Sequence, residues 1–258
     1  MARLLKYDLK SLLRTLAPLW LVAVVVALVY GIVGKVQGHF YVVENSSYMD
    51  DILATSQLGL GLVLILFGIS ILTLIMVVRR FWDGLLRDEA YLMFTLPVTP
   101  RMLILSKAIS AVCICVMSLF VAIICVFILM LLQEPNWIRE LREGLIYFNS
   151  LLAFKKVQIA ASLVGMVTGG IKHLYLFYVA MAIGHLSHKH RFLLSVVAFG
   201  CISSVLGTIS SMAMTVIEMQ LGMDGTVALW LSALGSALVM VILHMVTEWI
   251  LTYKLNLE

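Results

Sequence analysis

Apolar residues in this 258-residue chain gather into six long runs. They are approximately Leu16–Gly34, Leu58–Val78, Ile104–Leu132, Val157–Leu186, Phe192–Val216 and Thr226–Leu251. A helix needs about 20 apolar residues to cross a bilayer, and each run supplies them. The pattern predicts an all-α integral membrane protein with six transmembrane helices, organised as a single transmembrane domain over 1–258. An even number of spans leaves both termini on one side.

The polar positions between the runs predict three further features. Before the first run, Leu4, Leu5, Leu9, Leu12 and Leu13 recur near a 3.6-residue period, with Lys6, Lys10 and Arg14 between them. Residues 1–15 therefore read as an amphipathic helix lying on the membrane surface, with Pro18 offering a bend into the first span. The structural alternative is a basic orientation signal continuous with that span. In the second outer loop, between spans 3 and 4, residues 133–156 place Trp137, Ile138, Leu141, Leu145 and Phe148 on one stripe, with Arg139, Glu140, Arg142 and Glu143 elsewhere. This predicts a second amphipathic helix at the opposite surface. The first outer loop, Lys35–Gln57, carries the interfacial aromatics Phe40, Tyr41 and Tyr48.

The third feature is the segment from Arg79 to Lys107. It holds Arg79, Arg80, Arg87, Arg101 and Lys107 against Asp83, Asp88 and Glu89, interleaved with Phe81, Trp82, Leu85, Leu86, Tyr91, Leu92 and Phe94. Aromatic anchors ringed by charge are the usual make-up of a docking patch. Pro97 ends the preceding element, and Thr99-Pro100 is a helix start, with Thr99 as N-cap and Pro100 in the first position. A loop over 79–104 containing a short docking helix follows. The alternative is a segment lying on the headgroups, anchored by its aromatics.

Composition agrees with this architecture. Hydrophobic residues are 62% of the chain and charged ones 12%, against about 45–50% and about 25% in soluble domains. The basic residues set the orientation. One side holds Arg3, Lys6, Lys10, Arg14, Arg79, Arg80, Arg87, Arg101, Lys107, Lys189, Arg191 and Lys254, twelve in all. The other holds Lys35, Arg139, Arg142, Lys155 and Lys156, which is five. The positive-inside rule then places both termini and the 79–104 loop in the cytoplasm.

Sites for chemistry are few. No phosphate-binding Gly-Lys-Ser/Thr loop, HExxH, clustered CxxC or nucleophile elbow is present. The chain reads as non-catalytic, with no cofactor or metal of its own. Cys113, Cys115, Cys125 and Cys201 all fall in apolar runs and read as small apolar side chains. His185, His188 and His190 beside Lys189 and Arg191 read as a solvated basic turn.

Lys172 and His173 interrupt the fourth run after Gly169 and Gly170. An ionisable group at that depth costs about 2.5–3.5 kcal/mol and normally faces protein or water. They are candidates for a translocation path or a proton site. The alternative is a break at Gly169-Gly170 that lets Lys172 snorkel. His244 and Glu248, four apart on one helix face, join the candidate path. A mutual hydrogen bond is their simpler role. Gly59, Gly61 and Gly68, and Gly200, Ser203, Ser204 and Gly207, permit close helix packing.

The stretch DEAYLMFTLPVTPRMLILSK resembles the signature loop of small six-span permease subunits of bacterial ATP-binding-cassette exporters, of a type common in Firmicutes. The matching positions are Asp88, Glu89, Tyr91, Leu92, Thr95, Leu96, Pro97, Val98 and Pro100. Ile183–Leu186 with Lys189, His190 and Arg191, and the ending Tyr253–Glu258, are also similar to that family. The resemblance implies an exporter-type fold with a cytoplasmic coupling helix between spans 2 and 3. It further implies a second permease, identical or paralogous, and two cytosolic subunits that bind ATP and Mg. Arg80, Trp82, Leu86, Asp88, Glu89, Tyr91 and Phe94 would meet those ATPases. Lys172 has no place in the family's motifs.

The expected function is thus an export permease in contact with membrane lipids and without a nucleic-acid partner. Two alternatives stay open. One is a non-transporting sensory or immunity subunit that binds a peptide or lipid. The other is an ion-coupled carrier using Lys172, His244 and Glu248.

Overall fold

A computed structural model describes residues 2–43, 48–85, 100–133, 137–187, 190–220 and 225–254. The elements are α1 (Ala2–Val43), α2 (Tyr48–Leu85), α3 (Pro100–Gln133), α4 (Trp137–His185), α5 (Arg191–Gln220) and α6 (Gly225–Trp249), the last continued by a π-turn over Ile250–Lys254. No strand occurs among the described residues. Six helices there are long and apolar enough to cross a membrane. This is the six-span, all-helical membrane architecture that the apolar runs predict.

The helices outgrow the runs. At 1.5 Å per residue, the 42 residues of α1 extend about 63 Å, about twice the hydrocarbon thickness. The first outer loop shrinks accordingly, because α1 continues to Val43 and α2 begins at Tyr48. The start of α3 at Pro100 is where the Thr99-Pro100 signal sets it. Thr99 lies outside the described residues.

Two expectations about α1 change. It runs as one helix with Pro18 inside it, with no separate surface element before the span. Part of its leucine stripe is also packed within the protein. Leu12 and Leu16 are buried within the protein, and Asp8, on the same i, i+4, i+8 stripe, is only 2% exposed. An amphipathic pattern reports one apolar face but cannot say whether lipid or protein covers it.

The chain divides into two compact units, and the long helices pass from one to the other. The first comprises residues 2–77 and 110–146. Its core gathers Ala27 of α1, Ile69 of α2 and Cys125 of α3, flanked by Ala23, Val24, Ile65, Val121 and Ala122. The Thr73 hydroxyl donates to the Ile69 carbonyl at 2.7 Å and lies 2.8 Å from Ser118 Oγ, joining α2 to α3. Gly61 lies beneath the Tyr30 ring so closely that a Cβ there would stand 2.1 Å from it. Of the glycines expected to allow close packing, Gly61 does so. Gly68, Gly200 and Gly207 face open space. Leu16, Trp20, Ala23, Gly68 and Thr73 help line an apolar cavity of about 280 Å³ between α1 and α2.

The second unit comprises residues 78–109 and 147–258. It holds the end of α2, the first turns of α3, most of α4, and all of α5 and α6. Its most buried stretch is Leu174–Ala182 of α4, where only Phe177 escapes full burial.

Candidate functional site

The residues flanking the 86–99 connection converge on one end of the second unit. At the end of α2, Phe81 is 1% exposed and stacks on Tyr178 of α4, with centroids 3.8 Å apart and planes 12° from parallel. Trp82, a predicted docking residue, sets its indole edgewise against the His185 ring at 5.9 Å. Arg79 pairs with Asp83 one turn later. Arg80 is half-buried. The aromatics that sequence alone assigned to an exposed anchor patch thus begin, at Phe81 and Trp82, by anchoring α2 on α4.

The contact continues inward. Tyr178 meets Tyr175 edge-to-face at 5.8 Å, and Tyr175 meets His244 of α6 at 5.3 Å and 88°. Phe81, Tyr178, Tyr175 and His244 therefore form a continuous aromatic file from α2 through α4 to α6. Stacked and edge-to-face pairs of this kind contribute about 0.5–1.5 kcal/mol each beyond area burial.

The far end of the connection is fixed differently. Arg101, in the first turn of α3, donates from Nε to Glu248 Oε1 of α6. The Arg101 side chain is 74% exposed and that of Glu248 is 20% exposed, so the pair sits at a surface. This corrects the expected His244–Glu248 hydrogen bond: Glu248 is taken by Arg101, and the buried His244 Nδ1 has no hydrogen-bond partner among the described residues. A shared helix face brings two residues near, but the partner across the interface decides the bond. Lys107, within the third apolar run, is a side chain of α3 and only 2% exposed.

The turn from α4 to α5 closes this end of the unit. Leu186 N–H donates to the Ile183 carbonyl and Ser187 N–H to that of Gly184, at 3.1 and 3.2 Å. Gly184 is buried against the start of α5. A Cβ there would lie 1.8 Å from Ser195 Oγ and 2.6 Å from the Arg191 carbonyl. The glycine of the Ile183–Leu186 motif therefore has a steric reason. His185 Nε2 lies 3.4 Å from an Arg191 guanidinium nitrogen. His188 and Lys189 lie outside the described residues.

Of the intramembrane candidates, the structure separates Lys172 from His173. Among the half-buried and buried positions of α4, Ala161, Gly165, Thr168, Gly169, Lys172, Tyr175, Leu176 and Val179 fall on one stripe. Lys172 belongs to it, whereas His173 is on the exposed face. The helix does not break at Gly169-Gly170. Its one non-helical residue is Lys155 (φ −125°, ψ 30°). The Trp137–Phe154 segment is thus helical, as its stripe predicts, and separated from the span by a kink; Arg139 pairs with Glu143 on it. Its residues 138–150 are all exposed.

Leu86, Asp88, Glu89, Tyr91 and Phe94 lie outside the described residues, as does the predicted docking helix. Sequence reasoning missed Asp8, Tyr175 and Tyr178. An acid inside a leucine stripe and two tyrosines three apart were the available signals. Among the described residues, no three His, Cys, Asp or Glu side chains gather as a metal site would need. Comparison with protein-family models, with curated proteins and with solved structures gave no match.

Proposed function

We propose that this chain is the membrane-spanning subunit of an ATP-driven exporter, and that the 79–104 segment couples it to cytosolic ATPase subunits. One observation carries the reading most: one flank of that segment is tied to α4 and the other to α6. Phe81 and Trp82 rest on α4 through Tyr178 and His185, and Arg101 is held by Glu248 of α6. A force applied between these flanks therefore reaches α4 and α6 directly, as well as α2 and α3, which are continuous with the segment. The six apolar helices and the resemblance of residues 88–107 to an exporter signature loop support the same reading.

In this scheme Arg80, Trp82, Leu86, Asp88, Glu89, Tyr91 and Phe94 form the docking face. ATP and Mg belong to the partner chains, and a second permease, identical or paralogous, completes the path. Both termini lie in the cytoplasm of a bacterium. Replacing Asp88–Phe94 with a Gly/Ser linker of equal length tests the scheme. Co-purification of the ATPase and ATP-dependent transport into sealed vesicles should both be lost. Retention of both would sink it.

The helical segment Trp137–Phe154, exposed and set apart by the Lys155 kink, favours a second reading. A non-transporting subunit that senses a peptide or lipid at the outer leaflet would present such a segment. Binding to the reconstituted chain without any ATP-dependent transport would favour it.

A further inference from the structure

Lys172 stands at mid-helix. It is about 26 Å along the axis from the kink at Lys155 and about 20 Å from His185. An unbroken helix over that length leaves its ammonium no short route to either surface. It also belongs to the packed stripe of α4 and not to the exposed one, so snorkelling along lipid does not describe it.

Two contacts between α4 and α6 bracket it. On one side, a Cβ at Gly165 would stand 3.9 Å from Ala233 Cβ. On the other, Tyr175 meets His244. Between these points there is open space at Gly169, where a Cβ would meet nothing within 4 Å. Helical side chains lean toward the N-terminus, so Lys172 leans toward Gly169, three residues earlier and on the same face. By register, the half-buried Ala237 and Met240 of α6 face the same level.

Among the described residues, Lys172 has no hydrogen-bond or ion-pair partner. The sequence also limits what a second copy can offer. No acid lies in residues 144–217 or 225–247, and the acids of the other helices sit at their ends. Glu248, the nearest along α6, is about 10 Å farther along the axis than Lys172 and is held by Arg101.

We propose that Lys172 anchors an intramembrane anion subsite, in which a carboxylate or phosphate on an apolar tail enters at Gly169 between α4 and α6. The ammonium supplies the charge-assisted hydrogen bond, and the apolar surface of α4 and α6 takes the tail. As the identity of the cargo, an anionic amphiphile, the subsite rests on the exporter reading. As a binding site it does not.

The test uses the full chain in phosphatidylcholine nanodiscs, without any ATPase. Binding of oleate, dodecyl phosphate and dodecyltrimethylammonium is measured to wild type, Lys172→Met, Lys172→Arg and Gly169→Leu. One or both anions should bind, and the cation should not. Lys172→Met should weaken anion binding about tenfold to a hundredfold, as loss of a hydrogen bond to a charged group does. Lys172→Arg should retain binding within a few-fold, and Gly169→Leu should block it while elution and thermal unfolding stay as in wild type. Oleate alone binding identifies a carboxylate site, and dodecyl phosphate alone a phosphate site. Equal binding of anion and cation, or an unchanged Lys172→Met, overturns the proposal. Neither result touches the docking of the ATPase, which is read separately by co-purification.

Discussion

Phe81 and Tyr178 stack face to face, 3.8 Å between centroids, and both are 1% exposed. The pair joins the last turns of α2 to the most buried stretch of α4. Phe81→Ala should lower stability by about 3–5 kcal/mol, the usual cost of removing a buried aromatic. Phe81→Leu, which keeps most of the volume, should cost clearly less. Thermal unfolding of the purified chain in detergent, followed by size-exclusion recovery, measures the order Phe81→Ala below Phe81→Leu below wild type.

The Arg101–Glu248 pair should behave in the opposite way. Arg101 is mostly exposed, and such pairs contribute about 1 kcal/mol or less. Arg101→Gln and Glu248→Gln should therefore unfold near the wild-type temperature. On the proposed function, both should still lower ATP-dependent transport several-fold while the ATPase remains associated. Equal loss of association and transport would point to a folding or docking defect instead.

How much of this end of the molecule could be read from sequence follows from what each signal depends on. Apolar runs long enough to span a membrane are local, and they gave six helices of the right order. Pro100 is also local, and it begins α3. The apolar runs are shorter than the helices, because polar and charged residues at their ends, such as Arg101, still continue the helix. The burial of Lys107, at 2% exposure, was not legible. Burial of a charge depends on neighbours distant in sequence, which no window of the chain contains. The same is true of His244 and Glu248. Their spacing was right for one another, but Tyr175 and Arg101, 69 and 147 positions away, took them.

Gly184→Ala should be the most damaging small substitution in the described residues of this end. Its new methyl would overlap Ser195 Oγ and press on the Arg191 carbonyl. Overpacking of this kind costs about 1–3 kcal/mol, and contact with backbone puts it at the upper end. Gly207→Ala and Gly235→Ala, which meet nothing within 4 Å, are the matched controls and should unfold as wild type. Ser195→Ala in the Gly184→Ala background should restore only part of the loss, because the backbone contacts remain. Unfolding temperatures of the five proteins decide this.

Gly61→Ala should act likewise in the other unit, through the Tyr30 ring. Here the obstacle is a side chain, so shortening it should help. Tyr30→Ser combined with Gly61→Ala should be more stable than Gly61→Ala alone, a positive coupling of the kind that a double-mutant cycle resolves.

Sided labelling checks the orientation. In a chain with its four cysteines replaced, Phe154→Cys should react with a membrane-impermeant maleimide added to intact cells. Tyr253→Cys should react only after lysis. Both side chains are well exposed, at 90% and 73%, so failure to label would not reflect burial. The reverse pattern would invert the positive-inside assignment.

The closeness of Gly184 to Ser195 has a mechanical consequence. Five residues connect α4 to α5, and the first turn of α5 is pressed directly onto the last turn of α4. There is no slack at that corner for one helix to swing without carrying the other. On the proposed function, the α4–α5 corner would then move as one stiff piece, and a working stroke would be taken up elsewhere. The kink at Lys155 is one such joint.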